Sequence, residues 1–309
     1  MGNGAFIAAS MVVSALLSFV VIPRATQLMV NNAAGLAGRH LGKSWRTLCI
    51  NASTNNPEAA AMLVSFGMRK MGGWSNPLGS LLANVYLMYL AGFAWVALKL
   101  AIKGDRERLR QFLRLLRAEW RLLLGHLAVS LVLFAFGFSA LRVMMSRETM
   151  TPLDPSVALV AVLLILGIAA FVVFEMILKR RRIELFDDMD ESGFTESWGG
   201  LLAGTLGVIA ACWVMNALFL GWSVIYSGSL SGLFGPMIFA WLHYFLGSLI
   251  TSLPELTVTV HNLEKLRAPD LNTALGSVSY SNMVNLAIAL LGLILWVVFT
   301  SLGVSFSWT

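Results

Sequence analysis

Glu58 and Glu255 each follow a proline inside a long apolar run, in the strings Thr54-Asn55-Asn56-Pro57-Glu58 and Thr251-Ser252-Leu253-Pro254-Glu255. A carboxylate in hydrocarbon costs about 2.5–3.5 kcal/mol on insertion scales, so it faces a partner or a water-filled cavity and marks function. Proline removes an intrahelical hydrogen bond and clashes with the preceding turn, so each run is expected to break just before its Glu and to free backbone carbonyls. Thr54 and Asn55, with Thr251 and Ser252, add side-chain oxygens one turn earlier. Two carboxylates among hydroxyl, amide and carbonyl oxygens make a hard site, suited to Na⁺ or Ca²⁺ rather than to thiophilic metals.

The surrounding elements must hold these acids in a bilayer, and composition points there. Of 309 residues 58% are apolar and 12% charged, and the mean hydropathy is +0.77. A soluble domain carries roughly twice that share of charge, so one soluble core cannot hide this chain. A soluble enzyme, a secreted disulfide scaffold and a disordered chain are excluded. Cys49 and Cys212 lie in apolar runs and read as small hydrophobes, not as a disulfide framework or a metal site.

Eight runs are long enough to cross the membrane: Ala5–Ile22, Ser44–Met68, Asn76–Ile102, Leu122–Met145, Pro155–Leu178, Gly199–Ile225, Leu233–Leu263 and Leu271–Leu302. The first has no basic residue ahead of it, so it is expected to stay as a span ending at Pro23-Arg24. With eight spans, 18 of the 22 Lys and Arg fall on one side, and the others are Arg69, Lys70, Arg142 and Arg147. The basic side is then cytoplasmic and both termini lie outside, in a multi-pass integral membrane protein. Asp105–Arg121 is basic and amphipathic, with Leu109, Leu113, Leu116 and Trp120 at helical spacing, and reads as an interfacial helix on anionic headgroups. The net charge of +6 follows from this loop bias and implies no nucleic-acid partner.

Sliding the chain against itself by 197 residues superimposes Gly35-Leu36-x-Gly38 on Gly232-Leu233-x-Gly235, Thr54-x-x-Pro57-Glu58 on Thr251-x-x-Pro254-Glu255, and Leu78-Gly79-Ser80 on Leu275-Gly276-Ser277. Five spans precede the second unit, so it enters from the opposite face. An inverted repeat with broken helices at matching points is a secondary-transporter signature, and its two acids should meet near the midplane. The expected fold is all-α: residues 1–180 form a five-span first half, 181–198 an acidic cytoplasmic linker, and 199–309 a three-span second half.

These motifs resemble the cation/Ca²⁺ exchanger superfamily, the membrane fold of sodium/calcium exchangers. Its repeats carry patterns like G-T-S-L-P-E and, about twenty residues later, G-N-x-x-G-S-N-x-x-N/D. The second unit matches at 251–255 and at Gly276 to Asn285; the first is degenerate, with Thr54 to Glu58 and then Gly79-Ser80-Leu81-Leu82-Ala83-Asn84. The resemblance implies that Glu58 and Glu255 are the central cation ligands, that Thr54, Thr251 and Ser252 supply oxygens, and that Ser281 and Asn285 contribute from the partner helix. Asn84 stands where the family has Ser, Asn55 replaces another Ser, Met88 falls on a family Asn, and Asn285 leaves two carboxylates rather than three. In ungapped register Asn84 opposes Ser281; a one-residue shift pairs it with Asn282. The family usually has ten spans, and the counterparts of spans four and five are missing from the second half, leaving a lateral face that a homodimer, a partner subunit or lipid would cover.

The implied function is secondary antiport of Ca²⁺ and Na⁺ by alternating access, with no further cofactor. H⁺-coupled exchange stays open, because a two-carboxylate site can release its ion by protonation, and so does a non-transporting subunit that keeps the scaffold. Asp188, Asp190 and Ser192 spell the opening half of an EF-hand loop without its final Glu, a weak regulatory Ca²⁺ candidate. The four histidines show no ligand spacing and read as interfacial or packing residues, with His261 near Glu255. No H-E-x-x-H, G-x-S-x-G or phosphate-binding loop supports an enzyme.

Overall fold

The structure is a computed structural model, and it describes residues 3–41, 55–146, 151–181, 195–229, 231–235 and 237–308. Helices dominate the described residues, and the one β-contact is an isolated bridge between Lys70 and Ser307. Among the described residues six helices are long and apolar enough to cross a membrane: α1 (Gly4–His40), α3 (Gly72–Ile102), α5 (Trp120–Met145), α6 (Pro155–Arg180), α7 (Trp198–Tyr226) and α12 (Ala268–Ser301). Between them lie α2 (Asn56–Gly67), α4 (Arg106–Ala118), α8 (Ser231–Phe234), α9 (Ile238–Leu242), α10 (Ser248–Thr251) and α11 (Leu253–Leu263). These six apolar helices are consistent with a multi-pass integral membrane protein.

One boundary differs from the sequence reading. The first helix does not end at Pro23-Arg24; it runs on to His40, about 55 Å at 1.5 Å per residue. A π-turn at Leu17–Val21 explains why. There the Ile22 N–H reaches back to the Leu17 carbonyl, one residue farther than in an α-helix. The widened turn lets Pro23 enter as the start of a fresh helical stretch, where its missing N–H costs little. Two further π-stretches, Val85–Gly92 in α3 and His243–Gly247 between α9 and α10, flank the polar interior.

α12 is the hub. It packs on α3, α5, α6 and α11 and touches α2, while α7 packs along α1 and α2. The main apolar cluster joins Trp74, Leu78, Leu81, Leu133, Phe171 and Leu286; a second joins Ile22, Met29, Ala61, Cys212 and Phe239. α2 lends side chains to both, Met62 to the first and Ala61 to the second, so the helix carrying Glu58 lies between them. Lipid tails are as apolar as leucine, so close packing rather than hydrophobic driving force holds such helices together, and small residues let backbones approach. A Cβ on Gly79 would overlap the Tyr244 carbonyl, and one on Gly204 would lie 2.6 Å from the Met29 backbone nitrogen.

The basic amphipathic segment forms α4, capped by Asp105, whose carboxylate accepts from the Arg108 N–H at 3.1 Å. Its leucine stripe divides. Leu109 and Leu116 pack inward beside the buried Phe112, while Leu113 and Trp120 stay exposed. Phe112 rather than the stripe anchors α4, in a cluster with Val96, Leu263, Leu271 and Leu275. Glu264, just past α11, ties this corner together: its carboxylate takes Lys99 at 2.5 Å and its carbonyl takes Arg108 at 2.8 Å.

Candidate functional site

Asn55 and Ser252 occupy equivalent positions under the 197-residue offset, and their backbones match, with φ/ψ of −90°/6° and −87°/0°. Each caps a half-helix with proline in its first turn and Glu58 or Glu255 directly after it. Before Ser252, α10 and the π-turn continue the chain back to α9, so residues 238–263 form a helix broken at Thr251–Pro254. Each carboxylate thus sits at the positive end of its own half-helix.

The two acids converge. Glu58 is fully buried and Glu255 is 6% exposed. Glu255 lies three residues past Ser252, whose hydroxyl reaches Glu58 Oε1 at 3.4 Å. Glu58 Oε1 accepts from Ser80 at 3.1 Å and from Ser252 at 3.4 Å, and the Thr251 hydroxyl donates instead to Asn76 Oδ1 and the Ser248 carbonyl. Glu58 Oε2 and both oxygens of Glu255 have no hydrogen-bond partner among the described residues. The pseudo-equivalent contact of Glu58–Ser80 would be Glu255–Ser277; it is not made, and the Ser277 hydroxyl is likewise unpartnered.

Beside them runs a chain of amides and hydroxyls. Asn84 Nδ2 donates to Ser281 Oγ at 3.0 Å and to Asn282 Oδ1 at 2.9 Å. Ser281 Oγ donates to Asn55 Oδ1 at 2.7 Å. Asn84 and Ser281 are 197 residues apart in the chain, the same offset that superimposes the two Pro-Glu motifs. Asn285, one turn beyond Ser281, is fully buried, and among the described residues neither its amide atoms nor the Asn84 oxygen has a partner.

Of the residues expected at the site, Glu58, Glu255, Asn55, Thr251, Ser252, Asn84, Ser281 and Asn285 are all buried. Asn55, Ser252, Glu58, Asn84 and Ser281 join through hydrogen bonds to one another or to Ser80. Thr54 lies outside the described residues, as do Cys49 and the linker candidates Asp188, Asp190 and Ser192. Met88 is buried among Ala83, Leu87 and Val278, in an apolar cluster apart from the polar chain. His40 and His261 are exposed, and His126 packs inward, its Nδ1 2.9 Å from Ser279 Oγ.

Sequence reasoning missed four polar residues. Ser80 was visible only as part of a repeat match, yet it is the closest partner of Glu58. Asn76 accepts from Thr251 at 3.2 Å. Asn216 and His243 bond each other at 3.1 Å behind α2. Nothing in an apolar run distinguishes such residues from ordinary packing positions. Among the described residues no three His, Cys, Asp or Glu side chains gather, so any ion here would rest on two carboxylates plus neutral oxygens. Comparison with protein-family models, with curated proteins and with solved structures returns no match.

Proposed function

We propose that this chain is a secondary active cation antiporter, working by alternating access around Glu58 and Glu255. One observation carries the reading. Five buried oxygens in an apolar helical bundle have no donor among the described residues: Glu58 Oε2, Glu255 Oε1 and Oε2, Asn84 Oδ1 and Asn285 Oδ1. Buried acceptors are almost always satisfied, and a cluster of exceptions calls for a ligand that supplies positive charge. The donor set is all oxygen, which suits Ca²⁺ or Na⁺ as the transported substrate.

The topology we propose has eight crossings. The six long helices supply six, and the two broken stretches around α2 and around α8–α11 supply the others. Together they form an inverted repeat. The shared backbone at Asn55 and Ser252, the Asn84–Ser281 contact and the resemblance to cation/Ca²⁺ exchangers support it. The basic face is cytoplasmic, and α4 lies on anionic headgroups there. A proton as counter-ion is the nearest variant, because a site with two carboxylates can release its ion by protonation.

Reconstituted in liposomes, wild-type protein should take up ⁴⁵Ca²⁺ or ²²Na⁺ against an opposing Na⁺ or H⁺ gradient, and Glu58→Gln and Glu255→Gln should each abolish that flux. Full transport by either variant would remove its glutamate from the mechanism. A wild-type protein that moves neither ion but copurifies with a stoichiometric partner would instead be a non-transporting subunit.

A further inference from the structure

Arg106, Arg110, Arg114 and Arg117 recur along α4 at helical spacing, so they share one face, and all four are exposed. Among the described residues none of them pairs with a carboxylate. Like charges at this spacing repel and destabilise a helix, so the stripe calls for an outside anion. Its apolar neighbours say which kind. Leu113 and Trp120 border the stripe, 54% and 50% exposed. A soluble anion or a nucleic acid would neutralise the arginines and leave these two side chains in water. A bilayer surface covers both at the acyl boundary and presents phosphates to the guanidinium groups, which bind them bidentately.

The opposite face of α4 reaches toward the site. Phe112 is buried with Val96 and Leu100 of α3, Leu263 and Leu266 at the end of α11, and Leu271 and Leu275 of α12. Those three helices carry Ser80 and Asn84, Glu255, and Ser281 and Asn285. Arg108 donates to the Glu264 carbonyl at 2.8 Å, and Lys99 of α3 donates to the Glu264 carboxylate at 2.5 Å. Both cations thus stand at the C-terminal end of α11, where the helix dipole is negative and the last carbonyls need donors. A guanidinium has five N–H donors and Arg108 spends one here, so a phosphate can bind beside the cap without breaking it.

The turn being held is strained. Leu266 has a φ of 58°, a left-handed conformation unfavourable for a bulky side chain. Its equivalent under the 197-residue offset, Arg69, has a φ of 59°. There the chain after α12 secures the turn with neutral backbone bonds, from Ser307 N–H to the Arg69 carbonyl and from Met71 N–H to the Ser307 carbonyl. At Leu266 the backbone bonds among the described residues are local, so α4 and Lys99 do the holding.

We propose that the arginine stripe of α4 is a docking surface for anionic lipid headgroups, and that their binding holds the end of α11, with Glu255 in its first turn, in place. Phosphates on the stripe cancel its repulsion and keep Phe112 in its cluster and Arg108 on Glu264. In a neutral bilayer the stripe repels itself, α4 loosens, and the strained turn at Leu266 relaxes first. α11 is 11 residues long, so a shift at Leu263 reaches Glu255 through one short helix. This rests on α4 lying along the membrane surface, and not on the identity of any ion.

Hydrogen exchange of the full chain in nanodiscs tests it. Adding about 30% phosphatidylglycerol to phosphatidylcholine should slow exchange of the Glu264, Lys265 and Leu266 amides about tenfold, with the core of α5 around Leu133 and Leu141 unchanged. Arg110→Gln combined with Arg114→Gln should remove that response, and Arg108→Gln should leave fast exchange in both lipids. Equal exchange of wild type in the two nanodiscs, an undiminished response in the double variant, or a protected Arg108→Gln overturns the proposal. Glycerol phosphate added to neutral nanodiscs should not restore protection; if it does, the stripe is a soluble-anion site and the lipid role falls. A spin label at Leu113→Cys, on a Cys49→Ala, Cys212→Ala background, separates the two readings. A label reached by oxygen, with exchange indifferent to lipid charge, overturns the coupling to α11 alone. A label reached instead by a water-soluble nickel chelate lifts α4 off the membrane and overturns both.

Discussion

Asn285 is the residue at which charge can be added without disturbing a single existing hydrogen bond. It is buried, both amide atoms are unpartnered, and it lies one turn from Ser281 on α12. A carboxylate of nearly the same shape, Asn285→Asp, would bring a third negative charge to a site that has two. Divalent cations gain more from each added charge than monovalent ones do. The expected result is about a tenfold rise in Ca²⁺ affinity relative to Na⁺, read by competitive ⁴⁵Ca²⁺ binding. A fall in both affinities would place Asn285 outside the coordination shell. At this scale Glu58 and Glu255 were legible because a charge inside an apolar run is costly enough to demand a reason. Ser80, Asn76 and Asn216 were not, because small neutral polar residues cost little in a helix that can bond them to its own carbonyls, as Ser18, Asn32 and Thr205 do here.

At Gly79 and Gly204 helices meet with the glycine against backbone rather than against a side-chain tip. Backbone cannot move aside as a leucine tip can, so Gly79→Ala at the contact of α3 with the His243–Gly247 turn, and Gly204→Ala between α7 and α1, should each cost about 2 kcal/mol. Gly125→Ala is the control. Its new Cβ would lie 3.6 Å from the Phe174 ring, an ordinary contact. Unfolding in mixed micelles should rank Gly79→Ala and Gly204→Ala well below Gly125→Ala, and equal stabilities would refute close backbone packing as the cause. Five of the eight apolar runs lie, to within a few residues, where helices form, because length and hydropathy alone decide those. The run at 233–263 was legible as a broken helix from its proline. The passage of α1 through Pro23 was not, since a π-turn is a choice of hydrogen-bond register that leaves no mark on hydropathy.

If the crossings alternate, the helix ends fall into two layers. On one, Arg39 at the end of α1 pairs with Glu196 before α7 at 3.1 Å, and Lys99 and Arg108 both bind Glu264. On the other, the chain after α12 folds back on the turn after α2: Ser307 accepts from Met71 N–H at 2.7 Å and donates to the Arg69 carbonyl at 3.0 Å, with Phe306 against Phe66. The first layer would then also hold the arginines of α4 and the basic end of α6, and the second Arg69, Lys70 and Arg142. If retention of positive charge sets the orientation, the first layer is cytoplasmic. Cysteine labelling tests this on a Cys49→Ala, Cys212→Ala background in intact cells. Leu302→Cys, exposed beyond the end of α12, should react with a membrane-impermeant maleimide at once. Arg110→Cys, on the exposed face of α4, should react only after permeabilisation. The reverse pattern would invert the protein, with the two broken helices then opening to opposite sides from those proposed. Labelling of both from one side would break the alternation of crossings on which an inverted pair of half-helices, and so a site open to each side in turn, depends.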